Sequence, residues 1–188
     1  MRVWVIRHGE SETNKNGLWT GWLDAPLTEK GKEDAVLVNR IVSRVNFDKI
    51  YSSDLSRAKN TADIAFPTCK YETTAMLREI NVGSIAGKAL DVVMDSNNRP
   101  MNEDGYGRFG GESKEEFHDR IVSFMKILDS EDCENIAVFS HAGVLRKFLE
   151  ITLGLQLPRE TVLCRNCAVA IFDVNHSVWK LHSWINLH

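Results

Sequence analysis

Two short apolar runs limit the fold of this chain more than any other feature. Val3-Trp4-Val5-Ile6 and Ile136-Ala137-Val138-Phe139 are continuous rather than alternating. A strand wetted on one face alternates apolar and polar residues, whereas a strand covered on both faces has no need to. Each run is too short for a helix. Each also ends in a polar cluster, Arg7-His8-Gly9-Glu10 after the first and Ser140-His141-Ala142-Gly143 after the second. Both read as interior strands of a parallel sheet with helices on either side.

The segments between them follow the same plan. Thr28 is placed to cap a helix carrying Ala35, Val38, Val42 and Val45 at helical spacing. Residues 8–27 read as a long loop. Phe47–Tyr51 reads as a short strand, and Ser53 or Asp54 as the start of a helix through Leu55, Ala58, Ala62 and Ala65. Met76–Ile80 reads as a further extended segment. Ser113-Lys114-Glu115-Glu116 forms a capping box ahead of Phe117, Ile121, Phe124 and Leu128 on one helix face. Val144–Leu153 reads as a helix ended by Gly154, and Ala168–Val174 and Val178–Leu187 as closing strands. Strands alternating with helices predict an α/β class. The expected architecture is a three-layer α/β/α domain, residues 1–188, around a mostly parallel central sheet of about six strands. Residues 88–109 include the aperiodic polar run from Asp95 to Gly105 and read as an inserted surface loop, a substrate-selecting lid.

Composition narrows the function. The 188 residues carry 26 acidic and 23 basic side chains, a net charge of −3, so nothing suggests a nucleic-acid footprint. No apolar run is long enough to span a membrane, and the N-terminal run stops too soon, at Arg7, for a secretion signal. The expected compartment is the cytosol. Cys164-Arg165-Asn166-Cys167 has redox or zinc spacing, but the single pair, with Cys69 and Cys133 elsewhere, reads as buried or idle thiols. His176, His182 and His188 recur on one strand face, but each lies roughly 20 Å from the next, too far to share an ion. No metal and no cofactor is expected.

Ligands of parallel α/β sheets bind beyond the carboxyl ends of the strands. His8 and His141 directly follow the two buried strands, Arg7 precedes His8, and Arg57 opens the helix after the Phe47 strand. Two imidazoles and two guanidiniums at one sheet edge suit a phosphate. Guanidinium pairs with phosphate oxygens as a planar fork. A neutral imidazole is a competent nucleophile, so attack on phosphorus would give a phosphohistidine for water to hydrolyse. The leaving alcohol then needs a proton from a nearby acid. Glu10, Glu12, Asp24, Asp54 and Glu79 are the carboxylates in reach of these motifs.

With these residues assembled, the chain resembles the histidine phosphatase superfamily, also called the phosphoglycerate-mutase-like family. Arg7-His8-Gly9-Glu10 matches its signature. Further blocks follow in the family's order: Gly21 to Thr28 with Gly31, Ser52 to Ala58 with Thr61-Ala62, Leu77 to Gly83, Gly110-Gly111-Glu112-Ser113, and Ser140 to Arg146. The resemblance implies that His8 is the nucleophile. It implies that Arg7, Arg57 and His141 complete the phosphate pocket, and that Glu79 is the general acid and then the general base. Asn14, Thr20 and Gly21 match substrate-binding positions. It also implies a small phosphorylated substrate and a homodimer, although no stripe here demands one. The chain departs from the pattern at Ala142, where many members have glycine, and at Ser84-Ile85-Ala86-Gly87.

Three functions are weighed. The first is a phosphomonoesterase for a small metabolite, α-ribazole phosphatase-like or of broad specificity. The second is a cofactor-dependent phosphoglycerate mutase, favoured by Glu10-Ser11 and Trp19-Thr20-Gly21-Trp22. Against it stand the short insert and a lid in which Lys88, Arg99 and Arg108 face Asp91, Asp95, Glu103 and Asp104 with no basic excess. The third is a phosphate-binding regulatory pseudoenzyme, opposed by the intact catalytic set. In the lid, Arg99, Tyr106 and Arg108 are either substrate contacts or solvated side chains.

Overall fold

A computed structural model of the chain describes residues 1–93, 104–158 and 161–187. Six strands form one sheet in the order β3-β2-β4-β1-β5-β6. They are β1 (Arg2–Arg7), β2 (Lys49–Ser53), β3 (Glu72–Thr74), β4 (Asn135–Ser140), β5 (Val169–Asn175) and β6 (Val178–Ile185). The first four run parallel; β5 is antiparallel to β1, and β6 to β5. The mostly parallel α/β sheet matches the expectation from the two apolar runs.

Each buried strand divides its side chains between two cores. Val3 and Val5 of β1, with Ile136 and Val138 of β4, pack against helices α4 (Lys114–Asp129) and α5 (Ala142–Leu153) through Phe117, Ile121, Phe124, Leu128, Val144, Leu145 and Phe148. Trp4 and Ile6, with Ala137 and Phe139, pack on the other face against α2 (Glu29–Val42) and α3 (Ser56–Ala65) through Val38, Val42, Ala62 and Ala65. That is why the two runs are apolar throughout: both faces of the sheet are covered. Each fully buried aliphatic side chain contributes about 1.5–3 kcal/mol.

The helix ends form as the sequence predicts in three places. The Thr28 hydroxyl accepts from Gly31 N–H, Ser113 and Glu116 form a reciprocal capping box, and Gly154 closes α5 in the left-handed conformation. Elsewhere the structure corrects the reading. Residues 8–27 include a short helix α1 (Glu12–Lys15), because Ser11 and Asn14 cap each other reciprocally. Helix α3 begins at Ser56 with Leu55 at the cap position; the Ser53 hydroxyl accepts from Leu55 N–H, and Asp54 pairs with Arg78 instead. Met76–Ile80 is not a strand. The strand lies earlier, at Glu72–Thr74, and a 3-10 turn follows at Ala75–Leu77. β3 pairs only with β2, at the sheet edge, and its Glu72 and Thr73 are exposed, so no apolar pattern marked it.

Of the expected lid, Arg99 lies outside the described residues. Tyr106 is buried against Trp19, Val82 and Ile85, which makes it an anchor of the segment. The Arg108 guanidinium lies over the Phe109 ring.

Candidate active site

The strand ends deliver the site. Arg7 closes β1 and His8 follows it; Ser53 closes β2; Ser140 closes β4 and His141 follows as the N-cap of α5. Parallel β1 and β4 lie side by side, with Arg7 opposite Ser140. This register brings His8 and His141 together, with ring centroids 5.0 Å apart. Both rings are buried, as is Arg57.

Hydrogen bonding fixes the tautomer of His8. Nδ1 lies 2.6 Å from the Gly9 carbonyl oxygen, which can only accept, so Nδ1 carries the proton. Arg57 Nε–H donates to Nε2 at 3.3 Å, so Nε2 carries the lone pair. Burial and the charges of Arg57 and Arg7 hold the His8 pKa well below its ordinary 6.5. The ring is therefore neutral at physiological pH, with its free lone pair at Nε2. The long Arg57 bond is a weak one that an arriving phosphate oxygen can replace.

The turn that presents His8 depends on two glycines. A Cβ on Gly9 would meet the Gly31 carbonyl oxygen at 2.3 Å, and one on Gly31 would meet the Glu10 carbonyl oxygen at 2.1 Å. With both absent, the start of α2 closes onto the end of β1. Thr61 of α3 accepts from Gly9 N–H and donates to the Arg57 carbonyl, tying that turn to α3.

Arg57 is held from behind. Its Nη1 donates to the Leu23 carbonyl and its Nη2 to the Gly21 carbonyl. Burial lowers its pKa to about 10, so it stays charged at neutral pH. Arg7 donates through Nη1 to the Cys164 carbonyl at 2.5 Å, while its buried Nε finds no partner among the described residues. His141 meets the Ser53 hydroxyl through Nε2 at 2.9 Å, and its buried Nδ1 is likewise unpartnered. Burial, Arg57 and His8 hold its pKa well below 6.5 as well.

Glu79 follows the 3-10 turn after β3. Its Oε2 accepts from Gly143 N–H in the first turn of α5, and its Oε1 from Ile80 N–H. A Cβ on Gly143 would meet Oε1 at 2.1 Å, so a side chain there would push the carboxylate out of this position. Glu79 thus lies at the first turn of α5, the positive end of that helix.

The other residues singled out from the sequence hold the frame. Asn14 Oδ1 accepts from Ser11 N–H and from Asn166, which also donates to the His8 carbonyl. The Thr20 hydroxyl pairs with Thr13, and Gly21 serves Arg57 through its carbonyl. Among the competing carboxylates, Glu10 pairs with Thr28, Asp24 with Ser56 and Asp54 with Arg78.

Sequence reasoning did not single out Arg146 or Arg120, and it took Glu112 only as part of a motif. Arg146 lies in α5 near Arg7 and makes no side-chain hydrogen bond or ion pair among the described residues; its Nε is buried. Its place at the end of the Ser140 motif was the available signal. Cys164 and Cys167 are buried free thiols, and burial pushes Cys167 up to about 12. Among the described residues no three metal-ligating side chains gather, and no helix is long and apolar enough to cross a membrane. His182 pairs with Asp173, and His188 lies outside the described residues.

The family model described as "Histidine phosphatase superfamily (branch 1)" matches residues 3–187. A Salmonella choleraesuis protein named "Probable phosphoglycerate mutase GpmB" is 30% identical over 98% of this chain and 90% of its own length. The crystal structure of a phosphoglycerate mutase from Bacillus anthracis superposes with a TM-score of 0.86 at 25% identity, covering 97% of this chain and 92% of that one. The alpha-ribazole phosphatase from Shigella flexneri gives 0.81 at 25% identity, covering 98% and 96%.

Proposed function

The chain belongs to branch 1 of the histidine phosphatase superfamily, and from that premise we propose that it is a phosphomonoesterase acting on a small phosphorylated metabolite through a phosphohistidine at His8. The observation that carries this reading is the tautomer of His8. A buried, neutral imidazole offers its Nε2 lone pair beside the Arg57 guanidinium, where a phosphoryl group would sit.

In the proposed first step, His8 Nε2 bonds to phosphorus as the ester P–O bond breaks. Glu79 gives its proton to the departing alkoxide. Arg57, Arg7 and the unpartnered Nδ1 of His141 take up the charge spreading over the phosphoryl oxygens. Arg146, which makes no side-chain hydrogen bond or ion pair among the described residues, adds a further cation. In the second step water attacks phosphorus, Glu79 takes the water proton, and the P–N bond breaks to restore neutral His8. No step needs a metal ion. Selection of the ester is proposed to fall to the segment 88–109, whose described residue Tyr106 packs against Trp19, Val82 and Ile85.

A second reading, a cofactor-dependent phosphoglycerate mutase, has its own support. The 30% identical relative is named "Probable phosphoglycerate mutase GpmB" and is matched over 90% of its length, so a short chain does not argue against mutase chemistry. Water is favoured as acceptor because the lid residues carry no basic excess to hold a second anionic group.

The experiment is phosphate release from a panel of phosphomonoesters, run beside a 3-phosphoglycerate to 2-phosphoglycerate assay primed with 2,3-bisphosphoglycerate. Release dominated by one ester without isomerisation is expected. Isomerisation with little release establishes the mutase instead. Reversible ligand binding with neither reaction points to a regulatory module.

A further inference from the structure

The segment carrying Glu79 has little regular structure of its own to hold it. It follows a single 3-10 turn, and residues 78–82 belong to no helix or strand. Backbone carbonyls in such a segment need partners from elsewhere. One side chain supplies three of them. Arg120, on α4, donates through Nη1 to the carbonyls of Met76 at 2.8 Å and Arg78 at 2.9 Å, and through Nη2 to that of Glu79 at 3.2 Å.

The rest of that guanidinium is spent on Glu112. Nε donates to Oε1 at 2.8 Å and Nη2 to Oε2 at 2.7 Å, a bidentate pair largely shielded from water. Glu112 reaches the same segment from the other side: its Oε2 accepts from Asn81 N–H at 2.7 Å, and its own N–H donates to the Asn81 carbonyl at 2.9 Å. Arg120 thus directs five hydrogen bonds at one short stretch and its brace. A surface ion pair would not be so committed. The Phe117 ring, 5.0 Å from the guanidinium, supports it one turn earlier on α4.

We infer that Arg120 and Glu112 are positioning residues for proton transfer: together they clamp residues 76–81 so that the Glu79 carboxyl stays against the start of α5. Neither touches the reacting phosphorus in this account. A proton donor displaced by an ångström loses most of its advantage, while His8, held by Gly9 and Arg57, keeps its own geometry. The clamp therefore affects esters that need the proton and spares those that do not. This inference rests on the reading of Glu79 as general acid.

The test is a double-mutant cycle read on two esters. Arg120→Lys keeps the charge opposite Glu112 but loses the fork that spans three carbonyls, and Glu112→Gln keeps the shape while weakening the brace. Each is compared with Glu79→Gln on an alkyl phosphate and on p-nitrophenyl phosphate, whose leaving group departs without a proton. Arg120→Lys is expected to lower kcat on the alkyl ester by roughly 10- to 100-fold, part of the range for general acid catalysis. KM and the aryl ester rate should change by less than about threefold. In a Glu79→Gln background, Arg120→Lys should add almost no further loss, because the group it positions is already gone. If Glu79→Gln is selective for the alkyl ester but Arg120→Lys and Glu112→Gln slow both esters equally or neither, the clamp is wrong and the Glu79 role stands. If Glu79→Gln itself slows both equally, the Glu79 reading falls and the clamp with it. Should Arg120→Lys fail to fold, Glu112→Gln carries the same comparison.

Discussion

The groups proposed to react are placed by neighbours that take no part in the proposed chemistry. Gly143 is the clearest case. Its N–H holds one oxygen of Glu79, and its missing Cβ leaves room for the other. Gly143→Ala should therefore act as a catalytic substitution. On alkyl esters it is expected to cost about 10²-fold or more, approaching Glu79→Gln, with aryl esters nearly spared. Steady-state kinetics on the two ester types decide it, and equal loss on both would show that Gly143 matters only for folding. At this scale the convergence of His8, His141, Arg7 and Arg57 was legible, because two buried parallel strands lying side by side end at Arg7 and Ser140. Asn14, Thr20 and Gly21 were singled out only through the resemblance; in the structure Asn14 ties Ser11 to Asn166, Thr20 pairs with Thr13, and Gly21 supports Arg57, bonds that no local sequence pattern announced. Arg120 carried no signal at all: a lone arginine on an amphipathic helix looks like any solvated one until the segment folded beneath it is known.

Among the elements, the turn after β1 is tied to α3 through one buried hydroxyl. Thr61 accepts from Gly9 N–H and donates to the Arg57 carbonyl, and it is fully buried. Thr61→Val keeps the shape and removes both bonds. Leaving Gly9 N–H unpaired in the interior should cost about 1–3 kcal/mol, measurable by urea unfolding. It should also loosen the Gly9 carbonyl that sets the His8 tautomer, so kcat should fall for alkyl and aryl esters alike. Unchanged stability would contradict this linkage. Elements with a buried apolar face were read correctly from sequence: β1, β4, α2, α4 and α5. β3 was not, because pairing with β2 alone at the sheet edge leaves it exposed and free of hydrophobic pattern. The stretch from Met76 to Ile80 mimicked a strand because Leu77 is buried beneath the site, within a 3-10 turn.

For the molecule as a whole, burying two neutral histidines next to arginines costs stability in acid. Both His8 and His141 have pKa values held well below 6.5 in the folded chain. As pH falls below 6.5 the unfolded chain binds protons at these positions that the native chain refuses, so folding stability falls with pH in that window. The slope should reach up to about 1.4 kcal/mol per pH unit for each histidine. Urea unfolding between pH 6.5 and 5.5 should show a smaller slope for His141→Gln than for the unaltered chain. An identical slope would mean that His141 takes up a proton as readily when folded as when unfolded.

The central claim is that phosphate passes through His8 Nε2. The direct measurement is a rapid quench after mixing with a ³²P-labelled phosphomonoester, followed by mapping of the protein-bound label. The account predicts a label that is acid-labile and base-stable, lies on His8, decays at the rate of phosphate release, and is absent from His8→Ala, which also loses turnover. A label elsewhere, or normal turnover by His8→Ala, would contradict it.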